Sequence, residues 1–214
     1  MSKHPWTWVS PESQKGVFWA ALVVTLAVMG ILQVSGAPLK TTEAPGGIVT
    51  YELAGEMAKT QAILASWDAN ARVHAGFNLG FDFLFLFAYP FSIGLGCALV
   101  AGGFGSGIWA GLGMLLAWLL PLAGLLDAIE NYALIRLLLG SQETALPALA
   151  KWCAIPKFAL VIAGIVYVLG GAAVRTIVRP AAAGLGLRAS SGLPLPRAPA
   201  GGSLPRRVGR RTTL

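Results

Sequence analysis

Four long apolar runs constrain this chain more than any other feature. Residues 17–35 (VFWAALVVTLAVMGILQVS) contain no charge and a single amide, Gln33, near their far end. Residues 77–100 (FNLGFDFLFLFAYPFSIGLGCALV) are interrupted only by Asn78 and Asp82 near their start and by Pro90 in their middle. A third run begins near Ile108 and extends to Leu139, and a fourth, residues 153–174, carries one charge, Lys157. Crossing a hydrocarbon core about 30 Å thick takes about 20 mostly apolar residues, so each run is long enough to do it. The expectation is an all-α polytopic membrane protein, a four-helix transmembrane bundle with spans at about 17–35, 77–100, 108–130 with an extension to 139, and 153–174. Pro90 predicts a kink in the second span. At 1.5 Å per residue the third run is about 50 Å long, so it must tilt, break near Pro121, or leave the bilayer as an amphipathic helix. The composition fits this class: 56% of residues are hydrophobic and 12% charged, against about a quarter charged in a soluble domain.

A cleaved signal peptide competes with the first span, because Val34, Ser35, Gly36 and Ala37 resemble a small-residue cleavage site after an apolar run. The run is longer than a signal core of about 7–15 residues, which favours a retained span.

Charge predicts the orientation. Lys3 and Lys15 precede the first span and Arg175, Arg179, Arg188, Arg197, Arg206, Arg207, Arg210 and Arg211 follow the fourth, with no acidic residue after Glu143. Positive residues flanking spans favour the cytoplasmic side, and an even number of spans puts both termini there. The loop from 36 to 75 mixes Lys40, Lys59 and Arg72 with Glu43, Glu52, Glu56 and Asp68 and fits the outer side. Trp19 and Trp109 fall at expected inner ends and Trp67 and Trp152 at outer ends, the headgroup level that tryptophan favours, whereas Trp118 lies inside the third span. The high Ala, Gly and Arg content points to a bacterial inner membrane.

Residues 1–178 read as the transmembrane bundle and 179–214 as a disordered basic tail. The net charge of +7 comes mainly from this tail. Arg175, Arg179, Arg206, Arg207, Arg210 and Arg211 are the candidates for binding anionic lipid at the cytoplasmic face. No folded basic domain exists to bind nucleic acid. Between the first two spans, YELAGEMAKTQAILASWDANAR has good helix formers and predicts an outer-surface helix at about 51–72. Gly103, Gly107 and Gly111, and likewise Gly76 and Gly80, are spaced four apart, which suits close helix packing within the monomer. Cys97 and Cys153 fall near opposite ends of their spans, too far apart to bridge.

The polar residues inside the spans are the candidate functional feature. His74, Asn78 and Asp82 share one helical stripe with Phe85 and Tyr89, and Asp127, Glu130 and Asn131 share another at i, i+3 and i+4. With Lys157 these residues fall in one leaflet and predict a polar chamber opening outward. An intramembrane acid costs about 2.5–3.5 kcal/mol on insertion scales and seeks a partner. Asp82 with Lys157, and Asp127 or Glu130 with Arg136 or Arg72, are the pairings the charges suggest. Carboxylates with His74 could also hold a divalent cation, act as acid and base on a lipid-linked substrate, or line a path for protons or a small solute. No catalytic, haem, zinc or nucleotide motif is present, so the sequence names no catalytic residue, metal or cofactor. The leading expectation is a non-catalytic accessory or scaffold protein, part of a larger membrane complex, whose intramembrane charges pair structurally. An enzyme on lipid-linked substrates and a small channel or transporter are the alternatives.

Overall fold

A computed structural model describes residues 4–189, with side chains described through Val174. Six α-helices follow in order: α1 (Gln14–Ser35), α2 (Ile48–Glu52), α3 (Met57–Ser66), α4 (Ala69–Phe104), α5 (Ile108–Leu138) and α6 (Ala145–Ala189). Among the described residues there is no strand. α1, α4, α5 and the Ala145–Val174 part of α6 are each long and apolar enough to cross a membrane. Their outward surfaces are apolar too. Phe87, Trp118, Leu125, Ile162, Val166 and Leu169 are all exposed. A soluble bundle would cover such side chains, whereas lipid accepts them.

Packing marks fix an up-down-up-down order. Along α1 and α4, Phe18 lies at Gly96, Thr25 at Ser92 and Ser35 at Asn78, so the two run antiparallel. Gly124 of α5 packs on Leu86 and Pro90 of α4, and Asn131 meets Asp82. Leu120 of α5 meets Gly164 of α6, and Tyr167 donates to the Trp109 carbonyl at 2.8 Å.

Pro90 and Pro121 both sit inside continuous helices. Of the outcomes the length of the third run allowed, a break near Pro121 does not occur. Pro90 has no N–H to offer the Leu86 carbonyl. Gly124 presses its backbone there instead: a Cβ on Gly124 would lie 2.6 Å from Leu86 O and 3.1 Å from Pro90 Cγ. The helices meet closely because one has a proline and the other no side chain. Gly164 serves α6 in the same way, since its Cβ would lie 2.7 Å from Ile93 Cγ2 and 3.2 Å from Leu120 Cδ1. The glycines expected to make such contacts do not: Gly80, Gly107 and Gly111 face open space, and the nearest neighbour of a Gly76 Cβ would be 3.9 Å away. Spacing identified small residues, but only the direction each helix turns decides which of them meet a neighbour.

The outer-surface helix expected over residues 51–72 is divided. α2 ends at Glu52, Gly55 takes a left-handed φ of 75°, and Glu56 is extended ahead of α3. Trp67 is again extended, and the Asp68 carboxylate accepts from the Ala71 N–H at 2.7 Å to begin α4. The glycine and the N-cap aspartate are both breaks that helix propensity alone does not weigh. The segment packs as a cap. Leu39, Ala44, Tyr51, Ile63 and Trp67 form one buried cluster with Ala75 and Leu79 of α4 and Leu134 and Leu137 of α5. Trp67 is therefore not a headgroup anchor: it is 2% exposed, and its indole N–H donates to Leu39 O at 3.0 Å.

At the opposite end, the residues before α1 lie against α4: Trp6 meets Phe91 edge to face at 4.8 Å and Trp8 stacks on the same ring at 5.7 Å. The disordered-tail expectation for 179–214 falls outside the described residues from 190 onward. Through Ala189 the backbone is a continuation of α6.

Candidate functional site: a buried carboxylate cluster around Lys157

Asp82 on α4, Asp127, Glu130 and Asn131 on α5, and Lys157 on α6 converge at the α2–α3 end of the bundle. The antiparallel packing brings them there: Asp127 and Glu130, three apart, share a face of α5, and α6 descends past that face. Lys157 Nζ lies 2.9 Å from Asp127 Oδ1 and 2.8 Å from Glu130 Oε2. The lysine side chain is 7% exposed, Asp127 4% and Glu130 not at all. Asn131 donates to Asp82 Oδ2 at 2.6 Å. In place of the pairing suggested between Asp82 and Lys157, Asp82 accepts a hydrogen bond from the Asn131 amide and Lys157 pairs with the two carboxylates of α5. The arginines take no part. Arg136 reaches Tyr132 at 2.8 Å and Glu143 at 3.8 Å, and Arg72 donates to the Leu64 and Trp67 carbonyls.

Two further residues of the expected chamber lie elsewhere. Asn78 donates from Nδ2 to Leu32 O and to Ser35 Oγ, both at 2.9 Å, and so ties the end of α1 to α4. His74, two turns before Asp82, forms no hydrogen bond or ion pair with the cluster. Among the described residues no three His, Cys, Asp or Glu side chains are arranged to hold a metal ion. The two cysteines are buried and free, as their separation predicts. Of the basic residues proposed for lipid, Arg175 and Arg179 lie on the α6 backbone; Arg206, Arg207, Arg210 and Arg211 lie outside the described residues.

The member that sequence reasoning missed is Glu52. It sits on α2, at the start of the segment read as an outer-surface helix, yet its Oε2 is 3.9 Å from Lys157 Nζ and its side chain is 12% exposed. Burial pushes its carboxyl up to about 7, with Asp127 and Asp82 adding to the rise and Lys157 and a hydrogen-bonding contact with Glu130 opposing it. The signal available in the sequence was local: IVTYELA places an acid one residue after a tyrosine in an otherwise apolar stretch between Gly47 and Gly55. Tyr51 is buried beside it and donates to Leu134 O at 3.0 Å, which anchors α2 on α5. Tyr89, on the same stripe as Asp82, joins the site with its hydroxyl buried and without a hydrogen-bond partner.

The site therefore holds four carboxyl groups, one ammonium, one amide and one phenol, largely shut off from water by α2. No family model, curated protein or solved structure matches the chain.

Proposed function

We propose that this chain is a non-catalytic membrane protein, an accessory subunit or scaffold of a larger membrane complex, in which the carboxylate–lysine cluster locks α5, α6 and the α2 cap together. One observation carries the reading: buried Asp127 and Glu130 of α5 pair with buried Lys157 of α6, and buried Asn131 of α5 donates to Asp82 of α4. A substrate would have to displace α2 to touch them. Buried ionic groups of this kind hold helix register even when their net contribution to stability is small.

The same reading places both termini on the cytoplasmic side of a bacterial inner membrane. Lys3 and Lys15 precede α1, the arginines follow the span of α6, and an even number of antiparallel spans returns the chain to the side it started from. The arginine-rich C-terminal segment is then positioned to bind anionic lipid.

Native mass spectrometry of the detergent-solubilised protein, run beside thermal unfolding of Asp82→Asn and Glu130→Gln, tests the structural role. Each variant should unfold at a lower temperature, with no bound small ligand lost. A small ligand retained by the wild-type chain and released by either variant, with unchanged unfolding temperature, overturns the proposal in favour of an enzyme or transporter.

A further inference from the structure

The cluster contains more acceptors than donors. Glu52 and Glu130 both approach Lys157 Nζ through Oε2, at 3.9 Å and 2.8 Å, and an ionised carboxylate only accepts hydrogen bonds, so the two cannot satisfy each other unless a proton lies between. The orphaned atoms agree. Glu52 Oε2 and Glu130 Oε1 are buried without a hydrogen-bond partner, and Glu130 Oε2 faces Lys157 in an ion pair rather than an aligned hydrogen bond. Lys157 is shared among Asp127, Glu130 and, at 3.9 Å, Glu52, so its one positive charge is committed mainly to the first two. In a medium of low dielectric, four carboxylates around one ammonium are costly unless positive charge is added.

The position of Glu52 gives that added charge a consequence. α2 is five residues long and is bounded by Gly47 at φ 61° and Gly55 at φ 75°. Left-handed glycines at both ends allow the segment to pivot with little change elsewhere. Its attachments are few: the Tyr51 hydrogen bond to Leu134 O, apolar packing in the cap, and the Glu52 side chain in the cluster.

We propose that Glu52 and Glu130 form a proton-binding site, in which one proton shared between the two carboxyls holds α2 shut over the cluster, and whose loss releases α2 on its glycine hinges. The ligand is the proton itself, delivered from the aqueous side that α2 faces. The charged groups acting on Glu52 are Asp82 from α4, Asp127 and Glu130 from α5, and Lys157 from α6. Beyond them, Lys151 packs against the Gly55 hinge and Arg72 acts on the neighbouring Tyr51. The proposal does not depend on an accessory role, since it needs only the cluster under α2.

The sign follows from linkage. Glu52 binds its proton more tightly when α2 is closed, up to about 7 against an ordinary 4.5. Closure is therefore fully favoured below the ordinary value, weakens as pH rises towards 7, and is constant above. Between pH 5 and pH 8 the opening constant should rise by roughly one to two orders of magnitude.

Hydrogen exchange of the full chain in nanodiscs at pH 5, 6.5 and 8, corrected for the intrinsic pH dependence of amide exchange, reads the opening directly over residues 48–55. The wild-type protein should lose protection there by tens of fold, while Glu52→Gln, which stays neutral and can donate to Glu130, should show a flat profile. A wild-type profile that is itself flat after correction overturns the proposal, whether or not the variant folds. Infrared pH-difference spectra of the same samples give an independent readout: a protonated-carboxyl C=O band should titrate in the wild type and be lost in Glu52→Gln. Its undiminished persistence in a folded variant also overturns the proposal. Neither result bears on whether the chain has a catalytic role.

Discussion

Replacing Lys157 with methionine tests whether the cluster is an interdependent unit. Methionine fits the volume of the lysine stem but removes the charge that lies 2.9 Å from Asp127 and 2.8 Å from Glu130. Both carboxylates are almost wholly buried, so no water can replace the ammonium. Stranding one partner of a buried ion pair costs about 3–5 kcal/mol, a large share of the roughly 5–15 kcal/mol that holds a typical domain folded. The expected loss for Lys157→Met at pH 8 is therefore about 3–5 kcal/mol, read by circular dichroism as SDS is titrated into the solubilised protein. One further arm separates this from simple loss of packing. Adding Asp127→Asn and Glu130→Gln to Lys157→Met removes the two carboxylates nearest the lost charge and should recover most of the stability, because neutral side chains of the same shape replace them. A Lys157→Met protein within about 1 kcal/mol of wild type at pH 8, or a triple variant no more stable than the single one, would refute the reasoning.

Two other substitutions probe how the helices meet. Gly124→Ala should destabilise the bundle by about 1–3 kcal/mol in the same titration, because its Cβ would press on the Leu86 carbonyl, a backbone atom that cannot swing aside; Gly80→Ala, which meets nothing within 4 Å, should leave stability unchanged or slightly raised. Asn78→Leu should cost about 1–2 kcal/mol by removing the two hydrogen bonds that fasten the end of α1 to α4, and an equal stability in both proteins would show that α1 is held by apolar packing alone.

The spans were legible because the bilayer imposes one rule on every segment that crosses it: enough consecutive apolar residues, with backbone polar groups satisfied within the helix. Counting apolar runs therefore located α1, α4, α5 and α6, although the caps at Asp68 and the helical turns before residue 153 extended two of them. The polar site was half legible. Asp127, Glu130 and Asn131 announce a common face by their i, i+3 and i+4 spacing, and Lys157 and Asp82 are conspicuous as charges in apolar runs. Their partners were not legible, because pairing depends on the rotation and depth of each helix against its neighbours. That is why Asp82 bonds to Asn131 and not to Lys157, and why the arginines stay outside.

Glu52 marks the limit of reading along the chain. An acid in a glycine-bounded, non-spanning segment looks solvated, and nothing local says otherwise. Only the folding of α2 over the end of the bundle, with Tyr51 anchored on Leu134 and Trp67 packed behind it, turns that residue inward. The amino-acid sequence by itself determined which segments enter the membrane, since that depends on the transfer of each segment from water to lipid. The tertiary structure decided which charges meet, because contact between separate helices is a property of their packing, and the same packing decided that the α2 glutamate belongs to a buried site.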